Sequence, residues 1–205
     1  MGMTLEDVND MYLDVLKEIG NIGAGNATSA IANMLGMKID MNVPSIRLME
    51  VEQLGMAVGA EDQTIVGIFL EVENDIEGSM MFLLDIPSAR YLVNKLMMQD
   101  VAEDEPFNNM EQSALKEIGN IIAGAYLSAL SGLTNLVILP SVPSIAVDMA
   151  ASILSLPAAT FGMQGDNALL IQTEICADVE INGYFILMPE QDSYEKILSA
   201  LGITV

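Results

Sequence analysis

Apolar residues at Val8, Met11, Tyr12, Val15, Leu16 and Ile19 recur at helical spacing, so the chain opens on a long amphipathic helix that runs to about Leu35 and stops at Gly36. Thr4-Leu5-Glu6-Asp7 ahead of it resembles a capping box with Asp in place of Glu. The same period returns at Leu115, Ile118, Ile122 and Leu130, in a helix capped after Pro106 by Asn108 with Glu111 and ending near Gly132. Each helix leads through a strand-like piece, Lys38 to Asn42 or Leu136 to Leu139, to a shared Val-Pro-Ser-Ile whose proline marks a strand end or edge. A shorter helix is expected next, from about Glu50 in one case and Val147 in the other. Two strand pairs follow: Thr64 to Glu71 with Gly78 to Leu84, and Leu169 to Asp178 with Gly183 to Met188. Their expected turns are Asp75-Ile76-Glu77-Gly78 and Glu180-Ile181-Asn182-Gly183. Helices over Ser88 to Met98 and Asp192 to Leu201 close the two series. The pattern predicts an α+β fold, a pseudo-two-fold duplicated α/β sandwich with long helices packed on an antiparallel sheet.

The duplication is literal in places. Leu16-Lys17-Glu18-Ile19-Gly20-Asn21-Ile22 returns as Leu115-Lys116-Glu117-Ile118-Gly119-Asn120-Ile121, 99 residues on, and Val43-Pro44-Ser45-Ile46 returns as Val142-Pro143-Ser144-Ile145. At the second turn the offset reads as 105, which places about six extra residues within Leu156 to Asn167. Two copies suit a pseudo-symmetric domain rather than a solenoid, whose stacking needs three or more repeats. Residues 1–205 are therefore read as a single domain of two halves, about 1–99 and 100–205, linked by the acidic, polar segment Asp100 to Asn109.

Charge narrows the choice of partner. With 29 acidic against 7 basic residues, the net charge of -22 opposes nucleic acid, whose binding draws on clustered Lys and Arg. A basic patch on another protein, or a cation that it holds, is the better complement. The chain has no histidine, which removes the commonest general base and metal ligand and excludes Ser-His-Asp and Cys-His catalysis in their ordinary forms. The single Cys176 can form no internal disulfide and reads as a small structural hydrophobe in a strand, consistent with a cytoplasmic location. No signal peptide is visible at Met1 to Asp7. The uncharged interval between Glu117 and Asp148 is interrupted by Asn120, Asn135, Pro140 and Pro143, so no membrane insertion is expected. Asp75-Ile76-Glu77-Gly78 lacks the ligand spacing of an EF-hand, and no metal site is assigned.

The candidate chemistry lies in the repeated block. Asp14, Glu18 and Asn21 share one face of the first helix, and Ser113, Glu117 and Asn120 share the equivalent face of the second. Gly20, Gly23, Gly25, Gly119 and Gly124 each cost about 0.8–1 kcal/mol against Ala in a helix interior. They imply close approach, either to the chain's own sheet or by another protein across a bare helix surface. Gly20-Asn21-Ile22-Gly23-Ala24-Gly25 is no nucleotide loop, since it lacks the strand-turn-helix setting and the P-loop lysine.

The spacing (Asp/Ser)-x3-Glu-x2-Asn-x22-Pro, met by Asp14, Glu18, Asn21 and Pro44 and again by Ser113, Glu117, Asn120 and Pro143, resembles the signature of the CheC/CheX/FliY family of bacterial chemotaxis phosphatases. Two motifs in one chain resemble the CheC type rather than the single-motif, dimerising CheX type, and a monomer with internal pseudo-symmetry is expected. The resemblance implies hydrolysis of the aspartyl phosphate of the response regulator CheY. It assigns Glu18 and Glu117 to an ion pair with the CheY active-site lysine, and Asn21 and Asn120 to the attacking water. Asp14, Pro44, Ser113 and Pro143 support the motif. No cofactor is expected in this chain, because the Mg²⁺ that neutralises the phosphoryl group is implied to sit in CheY. A binding module or scaffold that regulates CheD or CheY without hydrolysis is the alternative.

The copies diverge after the shared proline. Arg47, Glu50 and Glu52 in the first half face a second-half stretch, Ala146 to Leu156, in which Asp148 is the one charged residue. A nearly charge-free helix loses less hydration on burial. Asp148, Ala150, Ala151 and Ile153 are therefore expected to bind a partner, which the resemblance implies is CheD.

Overall fold

The central strands are apolar on both faces because helices cover both sides of one antiparallel sheet, in a computed structural model that describes residues 10–58, 62–161 and 167–202. The strands are β1 (Asp40–Glu50), β2 (Thr64–Asn74), β3 (Gly78–Asp85), β4 (Ile138–Pro140), β5 (Ser144–Met149), β6 (Asn167–Cys176) and β7 (Glu180–Pro189). Their order is β1-β6-β7-β3-β2-β4, with β5 also paired to β2. The helices are α1 (Asp10–Leu35), α2 (Leu54–Val58), α3 (Ile86–Met97), α4 (Asn109–Thr134), α5 (Ala150–Phe161) and α6 (Gln191–Ala200). On one face, α1, α3, α4 and α6 bury Ile31, Leu92, Ile122 and Ile197 against Ile68, Leu70, Phe82 and Phe185. On the other, α2 and α5 bury Leu54 and Ile153 against Ile65, Met81, Leu83 and Ile186. Alternation along β3 sends Met80, Phe82 and Leu84 to the first core and Met81 and Leu83 to the second, as the two-residue period of a strand requires.

The two copies interlock. β1 of the first half pairs with β6 of the second, and β5 of the second pairs with β2 of the first. The hairpins obey one rule: Val66 pairs with Leu84 as Leu169 pairs with Leu187. They meet where Phe82 of β3 faces Phe185 of β7, 103 residues on, their ring centroids 5.2 Å apart. The hairpin offset is therefore 103 rather than 105, and against the helix offset of 99 the second copy is longer by four residues, between Met149 and Asn167. The expected turn at Glu180-Ile181-Asn182-Gly183 is corrected accordingly. Those residues begin β7, and the chain turns at Ala177 to Val179, because the buried Ile181 belongs to the helix-side core.

Other elements differ at their ends. The expected helix from Val147 is a strand up to Met149, since β2 offers a free edge that β5 fills from Thr64↔Met149 to Phe69↔Ser144. β1 runs straight through Pro44, which the sheet tolerates because β1 is an edge strand with a register shift between Asn42 and Ser45. α1 ends as expected, with Gly36 at φ +65°, a left-handed conformation that glycine adopts without penalty. α4 runs two residues beyond Gly132, to Thr134, and Asn135 takes the left-handed cap. The Thr4 capping box lies outside the described residues.

Candidate functional site

The repeated block folds as it does because most of its apolar residues and its first glycine fall on one stripe, Ile22 being exposed. In α1, Leu16, Ile19, Gly20, Gly23 and Ala24 are buried, while Asp14, Lys17, Glu18, Asn21 and Gly25 are exposed. In α4, Leu115, Ile118, Gly119, Ile122 and Ala123 are buried; Ser113 and Glu117 are exposed, and Lys116, Asn120 and Gly124 lie half in solvent. Both Glu-Asn pairs therefore stand on the outer faces of long helices. Ser113 does not present a free hydroxyl, since its Oγ donates to the Asn109 carbonyl at 2.8 Å.

The glycines divide between the two roles open to them. A Cβ on Gly119 would lie 2.7 Å from Ile68 Cγ2 of β2, and one on Gly20 would lie 3.1 Å from Ile46 Cδ1 of β1. A Cβ on Gly23 would meet Tyr126 of α4 at 3.0 Å, so this glycine sets the approach of the two site helices. These three seat the helices. Gly25 and Gly124, one turn beyond each Asn, meet nothing within 4 Å and leave bare backbone beside the amide. Gly20 also lies over Val43 and Ile46, which brings the β1 segment containing Pro44 under the first site. Pro44 is exposed and Pro143 half-exposed.

A buried ion pair fixes the start of α4. Arg90 Nη1 of α3 donates to Glu111 Oε1 at 3.0 Å, both side chains being 2% exposed. The second Arg90 nitrogen donates to the Glu105 carbonyl, and the guanidinium lies 4.0 Å over the Phe107 ring. Gln99 donates to the same carboxylate, and the Asn108 N–H donates to Glu111 Oε2 at 2.8 Å while the Asn108 side chain caps the helix. Burial by itself pushes the Glu111 carboxyl up, but the Asn108 N–H, Arg90 and Gln99 outweigh it and hold the group below its usual value. The capping box was legible from spacing. The role of Arg90 was not, because it comes from 21 residues away on another helix.

The second-half surface is corrected in part. Ala150 and Ile153 are buried to 0% and 1% exposure, with Ile153 Cγ2 filling the hollow over Gly67, 2.6 Å from where a Cβ would stand. Core packing claims them, and neither can touch a partner. Asp148, on β5 rather than on a helix, and Ala151 remain exposed. Asp75 in the first hairpin turn is taken up structurally, its carboxylate accepting from the Val137 N–H at 2.7 Å. Among the described residues no group of three or more acidic or cysteine side chains is placed to hold a metal ion, and no helix is long and apolar enough to cross a membrane.

The Glu and Asn side chains line neither of two hollows in the molecule. A small apolar one lies beneath α1, and one of about 530 Å³, lined by Gly67, Phe69, Met81 and Val142, opens on the opposite sheet face. Both pairs stand on open helix surface, which suits contact with a folded protein better than enclosure of a small molecule.

Residues 11–47 and 110–147 match the model of the CheC-like family. The chain is 36% identical over 207 residues to the CheY-P phosphatase CheC of Bacillus subtilis (strain 168), covering 97% of each. Its fold is similar to the X-ray crystal structure of Thermotoga maritima FliY, with a TM-score of 0.78 at 21% identity and 98% of each chain covered. It is also similar to a chain in the CheX-CheY-BeF3-Mg complex from Borrelia burgdorferi, with a TM-score of 0.50 at 18% identity, covering 82% of this chain and 96% of that one.

Proposed function

The chain belongs to the CheC-like family, and from that membership we propose that it is a phosphatase acting on the aspartyl phosphate of a CheY response regulator. The observation that carries this reading is the pair of Glu-Asn faces held outward on glycine-seated helices, in a chain 36% identical over nearly its whole length to a CheY-P phosphatase. Glu18 or Glu117 pairs with the active-site lysine of CheY and sets the docking geometry. Asn21 or Asn120 then holds a water in line with the phosphorus, its amide oxygen accepting from the water. The water oxygen bonds to phosphorus, the bond from phosphorus to the aspartyl oxygen breaks, and inorganic phosphate and a free aspartate result. The leaving carboxylate is weakly basic, with a usual pKa of about 3.9, so no general acid is required and the lack of histidine is no obstacle. Mg²⁺ in CheY, not in this chain, offsets part of the phosphoryl charge.

The setting is the cytoplasm, where such a regulator works, and the active unit is a monomer with two sites. A CheD-type partner would meet only Asp148 and Ala151 of the surface predicted for it. The test follows the decay of phosphorylated CheY in Mg²⁺ with and without substoichiometric amounts of this protein. Multiple-turnover acceleration is expected. Unchanged or slowed decay, with binding intact, would establish a non-catalytic module instead.

A further inference from the structure

The repeated block contains a residue that this mechanism does not use. Of the seven basic residues in the chain, two are Lys17 and Lys116, each immediately before the site Glu and four residues before the site Asn. Three of the others are engaged: Arg90 with Glu111, Lys95 with Asp178 at 2.8 Å, and Lys196 with the Asp75 carbonyl. Among the described residues, Lys17 and Lys116 make no ion pair or hydrogen bond. Ordinary helix stabilisation does not account for Lys116, while Lys17 has the acidic Asp14 three residues before it but makes no ion pair with it. Lys116 has Gln112, Ser113, Gly119 and Asn120 at the positions that face it within the helix, none of them acidic. The i to i+4 relation puts each Lys on the same helix face as its Asn, one turn before it, with bare Gly25 or Gly124 one turn beyond the Asn.

On the reading above, the docked surface carries a phosphoryl group whose charge Mg²⁺ offsets only in part, and it approaches a protein of net charge -22. Like-charge repulsion would slow that encounter and weaken the complex unless it is offset locally. We propose that Lys17 and Lys116 are specificity-determining residues that attract the phosphorylated, anionic face of the regulator to each site. They act in docking rather than in the reacting bonds. This inference rests on the phosphatase reading but can fail separately from it.

The experiment compares the parent with Lys17→Gln/Lys116→Gln and Lys17→Arg/Lys116→Arg in steady-state hydrolysis of phosphorylated CheY over a range of salt. For the Gln variant, KM is expected to rise roughly five- to tenfold at low ionic strength with kcat within about twofold, and the salt dependence should flatten because an attraction screened over roughly 10 Å is gone. The Arg variant should restore both KM and the salt slope. Far-UV circular dichroism and thermal melting establish that the variants are folded, as expected for side chains outside the core. An unchanged KM and salt slope would overturn the inference, as would a fall in kcat alone. A parent that fails to accelerate phosphate loss would overturn the phosphatase reading itself.

Discussion

Glu111 shows what one side chain can carry: it caps α4 through the Asn108 N–H, pairs with Arg90 and accepts from Gln99, all while buried. Glu111→Ala leaves the Arg90 charge buried without its partner and should cost about 3–5 kcal/mol in urea unfolding. The pH dependence follows from the lowered carboxyl pKa. The unfolded value is about 4.3 and the folded value lies below it, so the stabilisation is complete above that pH and is lost as pH falls toward the folded value. The difference in stability between the parent and Glu111→Gln should therefore shrink on acidification below about pH 4.3; a difference that grows would show the carboxyl to be raised. At this scale the sequence was uneven. Glu18, Asn21, Glu117 and Asn120 could be placed on outer helix faces because 3.6 residues per turn fixes their direction once the apolar stripe is known. Arg90 could not, since long-range pairing has no local period.

Among the elements, α4 is seated by a missing side chain. Gly119→Ala would drive a methyl group into the β-branched Ile68, 2.7 Å away in the core, and should destabilise by roughly 1–3 kcal/mol despite a better helix propensity. Gly124→Ala meets nothing and should stabilise by up to about 1 kcal/mol. Thermal melting of the two variants should thus shift in opposite directions, and equal shifts would contradict the packing described. Long periodic helices and the first hairpin were readable in advance. Ala146 to Leu156 was not, because a run of small apolar residues does not separate a two-residue from a 3.6-residue period. Its first part became a strand because β2 had an edge to fill, and its later residues entered the core because Gly67 left room for Ile153.

The whole molecule is organised about the contact of Phe82 with Phe185, which relates the two helices and their Glu-Asn pairs. Literal repetition made this duplication visible in the sequence, whereas the exchange of β1 and β5 between halves was not, because strand partners are chosen in three dimensions. Two separate sites should behave additively. The residual activities of Asn21→Ala and Asn120→Ala should sum to about that of the parent, and loss of all activity from either single change would mean that the sites act as one. The most direct measurement is phosphate release from phosphorylated CheY by the Asn21→Ala/Asn120→Ala variant, with binding of the regulator measured on the same preparation. Binding within a few-fold of the parent together with loss of at least about 100-fold in kcat is the predicted result, the scale expected when a positioned reactant is released. Full turnover by the double variant would contradict the assignment of the water to these amides.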